Sequence, residues 1–548
     1  MTDDGARRGA ALMASGTAVS RMLGLLRAMV MVSAIGATGQ AADAFAVANN
    51  LPNVLYMLLA GGVLNAILVP QVVRAYKRKA GQEYVDRLLT FGFAMLAGAT
   101  VVLTLLAPVL VGLYTKFGDP TQEALAITFA YWCIPQLFFY GAYALLGQVL
   151  NARGSFGPYM WAPVVNNVVA IVGFGVFIVV FGTWETSGVV DAGTWTTGQV
   201  VLLAGSATLG VVAQALVLVP ALRRSGVHYR PRWGLRGSGL RTAGGVATWT
   251  LAGLAIGQLG FLVVTRVASA APDAAVAEGV ARASVAGPGA YSVAFLIFML
   301  PHSLVTVSLA TALFTRLSGQ AHDGDVAAVR ATLSSGLRVV GVFTVFATAA
   351  VVVLVLPLTR VVLATSSEGS ADAVATVVLT MILGLPAFGA WSMFQRAYYA
   401  YEDARSMVPI QVAMAAVVIL GAWASQMLLR PTLWVAGAGA AMTVSYVVGA
   451  GIAQWRLRRR LGGIDGSRIL KVIARATLAA VVSGAVGFGV LLLLRLWLST
   501  GLVASIIQCA VVGTLMGLAY AGILRLLRVR ELDNLLLPLL RRLPGGRR

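Results

Sequence analysis

Residues 9–35 read GAALMASGTAVSRMLGLLRAMVMVSAI, and their length sets how the rest of the chain is read. Arg7 and Arg8 stand before this run as they would before a secretory signal. The apolar region of a signal is ~7–15 residues long, whereas a helix crossing the hydrocarbon core of a bilayer needs ~20. The run therefore reads as a retained first span. It also carries two charges, Arg21 and Arg27, where an ordinary span carries none.

Apolar runs of the same length recur along the whole chain. Spans are expected at about 11–37, 44–72, 88–114, 123–150, 159–182, 198–222, 243–268, 288–315, 337–357, 373–400, 408–428, 433–455, 472–497 and 502–524. The predicted fold is an all-α polytopic membrane protein with 14 transmembrane helices. Composition agrees: of 548 residues 59% are apolar and 11% charged, against about a quarter charged in soluble domains. A soluble or disordered chain is excluded.

An even number of spans puts both termini on one side. With the N-terminus cytoplasmic, most of the 41 Lys and Arg fall in inner segments such as 74–79, 223–241, 456–471 and 525–548. The outer side keeps Lys116, Arg266, Arg282, Arg360, Arg430 and Arg495. Short loops orient by this bias, so both termini read as cytoplasmic. The net charge of +21 needs no nucleic acid as partner, and the same basic clusters attract anionic phospholipids.

Candidate catalytic chemistry is sparse. Cys133 and Cys509 both lie in apolar stretches and support no disulfide framework. His228, His302 and His322 are too scattered for a zinc site. The longest outer loops, 183–197 and 268–287, hold no His–carboxylate pair or nucleophile motif, and no Walker motif exists. Neither an enzyme nor a bound cofactor or metal is expected.

The informative residues are polar ones inside spans. A charge at the bilayer centre costs ~2.5–3.5 kcal/mol on insertion scales, so it faces a cavity, a partner or an interface. Arg21 lies ~18 Å into the first span, and Arg27, six residues on, points about 120° away on a straight helix. Gly24 between them could allow a bend. The second span opens with Asp43, continues through Asn49-Asn50-Leu51-Pro52-Asn53 and reaches Gly61-Gly62. That pattern predicts a broken helix of the kind that lines transporter cavities. Asp43, at the outer mouth, could pair with Arg27 or cap the helix. Further polar insertions stand at Pro135-Gln136, Pro163 to Asn167, Gln258, His302-Ser303 and Gln395-Arg396. For the lone amides helix packing competes with a substrate role, and for His302 a structural or polar-lining role is expected. No acid lies deep in a span, which argues against a buried proton relay. A net-positive cavity suits an anionic substrate, and arginine can fork two hydrogen bonds onto a phosphate.

These residues resemble a known family. Ser20-Arg21-Met22-Leu23-Gly24-Leu25-Leu26-Arg27, Asp43-Ala44-Phe45, Leu51-Pro52-Asn53 and Val69-Pro70 look like the MurJ (MviN) lipid II flippases of the MOP exporter superfamily. Further matches are Leu150-Asn151, Phe156-Gly157-Pro158, Ala162-Pro163-Val164-Val165-Asn166-Asn167, and Tyr398-Tyr399-Ala400 leading to Pro409. The likeness runs over all fourteen spans, is strongest in the first five, and points to the branch of high-GC Gram-positive bacteria. It implies two six-helix lobes around a central cavity: residues 1–230 with spans 1–6 and residues 231–465 with spans 7–12. Residues 466–548 would add spans 13 and 14, forming a groove for the lipid tail, and a basic tail. It also implies that Arg21 and Arg27 hold the diphosphate region of the substrate, and it matches Asp43 to the family's acid at the outer end of the second span.

The chain departs from the family pattern in several places. Tyr56 and Met57 stand where many members carry an arginine, Gly61 where they carry an acid, and Phe295 or Leu296 where others have an eighth-span arginine. The carboxylates of some members' sodium site, in spans 7 and 11, are missing here. The cationic cavity is thus thinner than usual, and sodium coupling is not expected.

The expected function is a lipid II flippase of the bacterial plasma membrane. It would carry the undecaprenyl-diphosphate-linked peptidoglycan precursor from inner to outer leaflet by alternating access. Arg21, Arg27, Asp43, Asn49, Pro52 and Asn53 are the expected substrate residues. Partners are lipid II, anionic phospholipids and cell-wall synthesis or division proteins. The alternatives are a MOP-type exporter of another polyprenyl-diphosphate glycan or amphipathic compound, and a non-transporting cell-wall scaffold.

Overall fold

The computed structural model describes residues 3–59, 82–186, 189–234, 244–364, 367–498, 501–529 and 531, and they contain helices, turns and loops but no strand. The chain forms two compact units. One comprises Met1–Ser292 with Thr365–Ser370, and the other Val293–Ala364 with Ala371–Arg548.

The first unit holds α1 (Asp3–Ile35), α2 (Gln40–Leu59), α3 (Gln82–Leu105), α4 (Ala107–Tyr114), α5 (Pro120–Cys133), α6 (Gln136–Ala152), α7 (Gly157–Phe181), α8 (Thr197–Leu216), α9 (Leu218–Arg224) and α10 (Gly244–Ala277). The start of α11 (Pro288–Pro301) also belongs to it. Most of the second unit is α12 (Val307–His322), α13 (Val326–Val362), α14 (Glu368–Ile382), α15 (Leu385–Ala400), α16 (Val408–Leu428), α17 (Trp434–Arg460), α18 (Gly466–Trp497) and α19 (Leu502–Leu526).

Prolines set several of the breaks, since proline lacks the N–H that continues a helix. Pro108 follows the break between α3 and α4, Pro135 separates α5 from α6, and Pro386 follows the 48° bend between α14 and α15. Side chains cap other starts. Asp119 accepts the Thr121 N–H at 2.8 Å to begin α5, and Thr196 with Gln199 forms a reciprocal capping box at α8.

Among the described residues twelve helices are long and apolar enough to cross a membrane, and the bent α14–α15 pair makes up to 13. Of the second expected span, helix is described only as far as Leu59. Gly61-Gly62, Val69-Pro70 and the basic residues 74–79 lie outside the described residues. Two expectations are corrected. α2 runs unbroken through Asn49, Pro52 and Asn53, because a single proline costs one backbone bond that the rest of the helix outweighs. The outer loop expected at 268–287 is largely helix, since α10 continues to Ala277 with Pro272 inside it.

The packed interior of the first unit is aromatic. Phe45 meets Phe129 edge-on at 5.4 Å, Phe129 meets Trp195 at 5.1 Å, and Phe177 stacks on Trp195 at 6.0 Å. Elsewhere large apolar side chains point outward: Val179, Met427, Trp497 and Leu526 are each more than four-fifths exposed. A soluble surface would not carry so many such residues on helices this long, whereas a lipid-facing one does.

Candidate functional site

The two arginines stand on α1, which runs without interruption through Gly24 and lies against α7. Close approach is built into the pair. A side chain at Gly16 would strike Trp161, and the Asn167 amide donates to the Ser20 carbonyl at 2.8 Å. That bond fixes α1 one residue before Arg21. Arg27, partly exposed, sets its guanidinium 5.9 Å from the centroid of the buried Phe174 ring. A cation over an aromatic face is stabilised by the ring quadrupole, so α7 supplies the aromatic support for Arg27.

Asn49 belongs to a polar cluster inside the first unit. Gln136, almost wholly buried, donates to Asn49 Oδ1 at 3.3 Å and to Thr208 Oγ1 at 3.1 Å, and accepts from the Tyr140 hydroxyl at 3.4 Å. α2, α6 and α8 are thereby joined by side-chain bonds of the kind that hold membrane helices together. Asn53 is half-buried on the same face of α2 one turn on, and Pro52 between them is buried.

Asp43 is placed differently from either expected role. It is 1% exposed, so it does not lie at an open mouth, and it accepts the Gly289 N–H at 2.9 Å rather than pairing with Arg27. Arg27 lies eight residues before the end of α1, ~12 Å along the axis, while Asp43 is in the first turn of α2. The carboxylate thus caps α11 instead of its own helix. Nearby, Thr38 in the α1–α2 turn donates to the Ala283 carbonyl at 2.9 Å and shares a 2.7 Å bond with the Ser370 hydroxyl. Asp273 pairs with Arg282 and accepts the Gly118 N–H at 2.6 Å.

This outer set, Thr38, Gly289 and Ser370, escaped sequence reasoning. Its one signal was Gly287-Pro288-Gly289 directly before an apolar run. Two of the other polar insertions resolve into packing. Asn166 donates to Gln214 across α7 and α8, and His302 is buried against Phe388 with ring centroids 4.1 Å apart. Among the described residues no three His, Cys, Asp or Glu side chains gather where a metal ion could be held.

The arrangement of two arginines on an unbroken α1, an amide-bearing α2 and a polyhelical apolar shell has counterparts. Residues 31–511 match the family model described as lipid II flippase MurJ. The chain belongs to the MurJ lipid II flippase family. MurJ proteins are transporters, and this chain is accordingly a multi-pass protein of the plasma membrane. A protein of Synechocystis named a probable lipid II flippase MurJ is 25% identical over 542 residues, covering 96% of this chain and 95% of that one. The solved structure of a lipid II flippase MurJ in an inward closed conformation superposes with a TM-score of 0.70 at 16% identity, covering 94% of this chain and 99% of that one. An inward-facing multidrug resistance MATE transporter of the MOP superfamily gives a TM-score of 0.62 at 16% identity, over 81% of this chain and 94% of that one. At these identities the two structures speak for the fold alone.

Proposed function

We propose that this MurJ-family protein carries lipid II from the inner to the outer leaflet by alternating access, with Arg21 and Arg27 holding the diphosphate. The observation that carries the reading is the presence of both arginines on one unbroken helix, where Asn167 ties the backbone beside Arg21 and Phe174 backs Arg27. A diphosphate offers acceptor oxygens onto which a guanidinium can fork two hydrogen bonds. Asn49 and Asn53 would meet the polar head group, with Pro52 setting their backbone. The lobes would be the six-helix halves ending at residues 230 and 465, with residues 466–548 holding the polyprenyl tail.

Asp43 then serves the conformational cycle rather than the substrate. Its bond to Gly289 and that of Thr38 to Ala283 join the α1–α2 turn to the segment entering α11, and release to the outer side would require them to part. Within this reading the driving force is the membrane potential, since the first-unit arginines offer charge and no carboxylate lies in the expected spans 7 and 11.

The test is lipid II sidedness in cells depleted of the protein and complemented with wild type, Arg27→Ala or an Arg21→Ala, Arg27→Ala double variant. Wild type should restore external lipid II and the double variant should not, at equal membrane abundance. Abundant flipping by the double variant would remove the arginines from the site. Unchanged external lipid II on depletion would favour another lipid-linked glycan as substrate.

A further inference from the structure

At the end of the first unit that the basic-residue bias assigns to the cytoplasm lies a cavity of about 560 Å³. Its walls are apolar: Leu89 and Phe93 from α3, Leu146 from α6 and Leu222 from α9. Arg223 and His228 also line it and are exposed, so the cavity reaches the surface between two basic side chains.

The cavity is a built feature of the fold. The segment carrying His228 is strapped onto α3 by three bonds: the Tyr229 hydroxyl to Thr90 Oγ1 at 3.0 Å, the Arg232 N–H to the same oxygen at 3.0 Å, and the Arg232–Glu83 ion pair at 3.0 Å. The Tyr229 ring also stands edge-on to Phe93 at 5.7 Å. These contacts fix the basic rim relative to the apolar wall.

The apolar walls line a space that opens at the surface, where bare hydrocarbon favours an apolar occupant over water. Water fills a cavity well only where it finds two to four polar partners, and these walls offer hydrocarbon. The volume lies in the range of about 300–1,000 Å³ in which single small ligands are held. An occupant must therefore present a hydrocarbon chain to the walls and a negative group to Arg223 and His228. In the leaflet that this end of the unit faces, lipids with a phosphate head and acyl chains have that chemistry. Basic side chains on the cytoplasmic side attract anionic ones in particular.

We infer that this cavity binds an anionic phospholipid of the cytoplasmic leaflet. One acyl chain lies between Leu89, Phe93, Leu146 and Leu222, and the phosphate is held by Arg223 and His228. The site is separate from Arg21 and Arg27, and its occupancy does not depend on what the protein transports.

The full-length protein in nanodiscs of mixed phosphatidylglycerol and phosphatidylcholine, released into native mass spectrometry, tests the assignment. Wild type should retain one phosphatidylglycerol through a wash that removes bulk lipid, and phosphatidylcholine should not replace it. An Arg223→Gln, His228→Gln variant changes only exposed side chains and should weaken retention about tenfold, the scale of losing charge-assisted bonds. Leu222→Trp, which fills the cavity, should abolish retention while melting as wild type does. If it fails to fold, the rim variant carries the test alone. Equal retention by wild type and the rim variant overturns the assignment. So does undecaprenyl diphosphate displacing phosphatidylglycerol from the wild-type protein but not from the rim variant, which would make the cavity a second site for the polyprenyl substrate class.

Discussion

Asp43 occupies the first turn of α2, and from its position in the chain an open, solvent-facing place was expected. Burial changes what its carboxylate does, because a buried carboxylate must be bonded, and the Gly289 N–H is the donor it meets. Removing that acceptor leaves a buried N–H unmatched, at a cost of about 1–3 kcal/mol. Asp43→Ala should accordingly lower the melting temperature in detergent by several degrees, and Asp43→Asn, which keeps an acceptor oxygen, by less. Equal losses for the two variants would deny the bond a role. Arg27 shows the complementary case. The sequence placed it in mid-span, yet its aromatic backing comes from Phe174 on α7, and nothing in the order of residues along α1 announces that contact.

Among the elements, the turn between α11 and α12 converts a polar insertion into packing. Pro301 precedes one turn of π-helix over His302–Thr306, whose wider register lays His302 against Phe388, with Ser392 Oγ 3.4 Å from its Nε2. Elsewhere in the second unit, the segment after α19 is held to α13 by charge. Arg338 Nε donates to Glu531 at 2.6 Å, a second guanidinium N–H donates to Ser334 at 2.6 Å, and both charged side chains are about nine-tenths buried. Breaking one side of such a pair costs about 3–5 kcal/mol, while replacing both by apolar groups is far milder. Arg338→Leu should therefore destabilise more than the Arg338→Leu, Glu531→Leu double variant, as read by thermal melting. The reverse order would show that the pair is dispensable.

A second charged clasp lies between α15 and α16. Burial pushes the Asp403 carboxyl up, but the Ser406 N–H at 3.1 Å and Arg460 at 2.6 Å outweigh it and hold the carboxyl below its ordinary range. A depressed carboxyl stabilises above its unfolded value, and the gain is lost as pH falls through the folded one. Asp403→Asn should thus melt about 1–2 °C below wild type at pH 7. The gap should close under acid below the ordinary carboxylate range, and a gap independent of pH would rule out the carboxylate as its source.

On the scale of the whole molecule, the fold leaves the cargo open. The same helical architecture superposes on a MurJ and on a multidrug MATE transporter, so substrate choice rests on side chains rather than topology. Charge then governs energetics. A potential of 100 mV is worth ~2.3 kcal/mol per charge moved across the membrane, so a dianion leaving an inside-negative cell gains up to about 4.6 kcal/mol. If the arginines neutralise it, the gain moves to the return of the empty cationic site. Under either scheme, lipid II translocation in proteoliposomes should quicken when a potassium diffusion potential is imposed, and should proceed without sodium. A rate indifferent to potential and dependent on sodium would overturn this account.

Much of the architecture was legible in the chain itself. Hydropathy marks a membrane span within its own twenty-odd residues, because each helix must satisfy its backbone internally before it meets a neighbour. The bias of Arg and Lys among loops sets the expected orientation for the same local reason, and the motifs running from Ser20 to Pro409 carried the resemblance to the family. What the sequence could not supply were bonds between residues far apart in it. Asp43 with Gly289, Asn167 with Ser20, Gln136 with Asn49 and the strap from Tyr229 to Thr90 each join positions brought together only by packing. An isolated span shows that a polar group is present and costly. The partner that offsets the cost is chosen by the tertiary structure, since a buried hydrogen bond depends on distance and direction that no single helix determines.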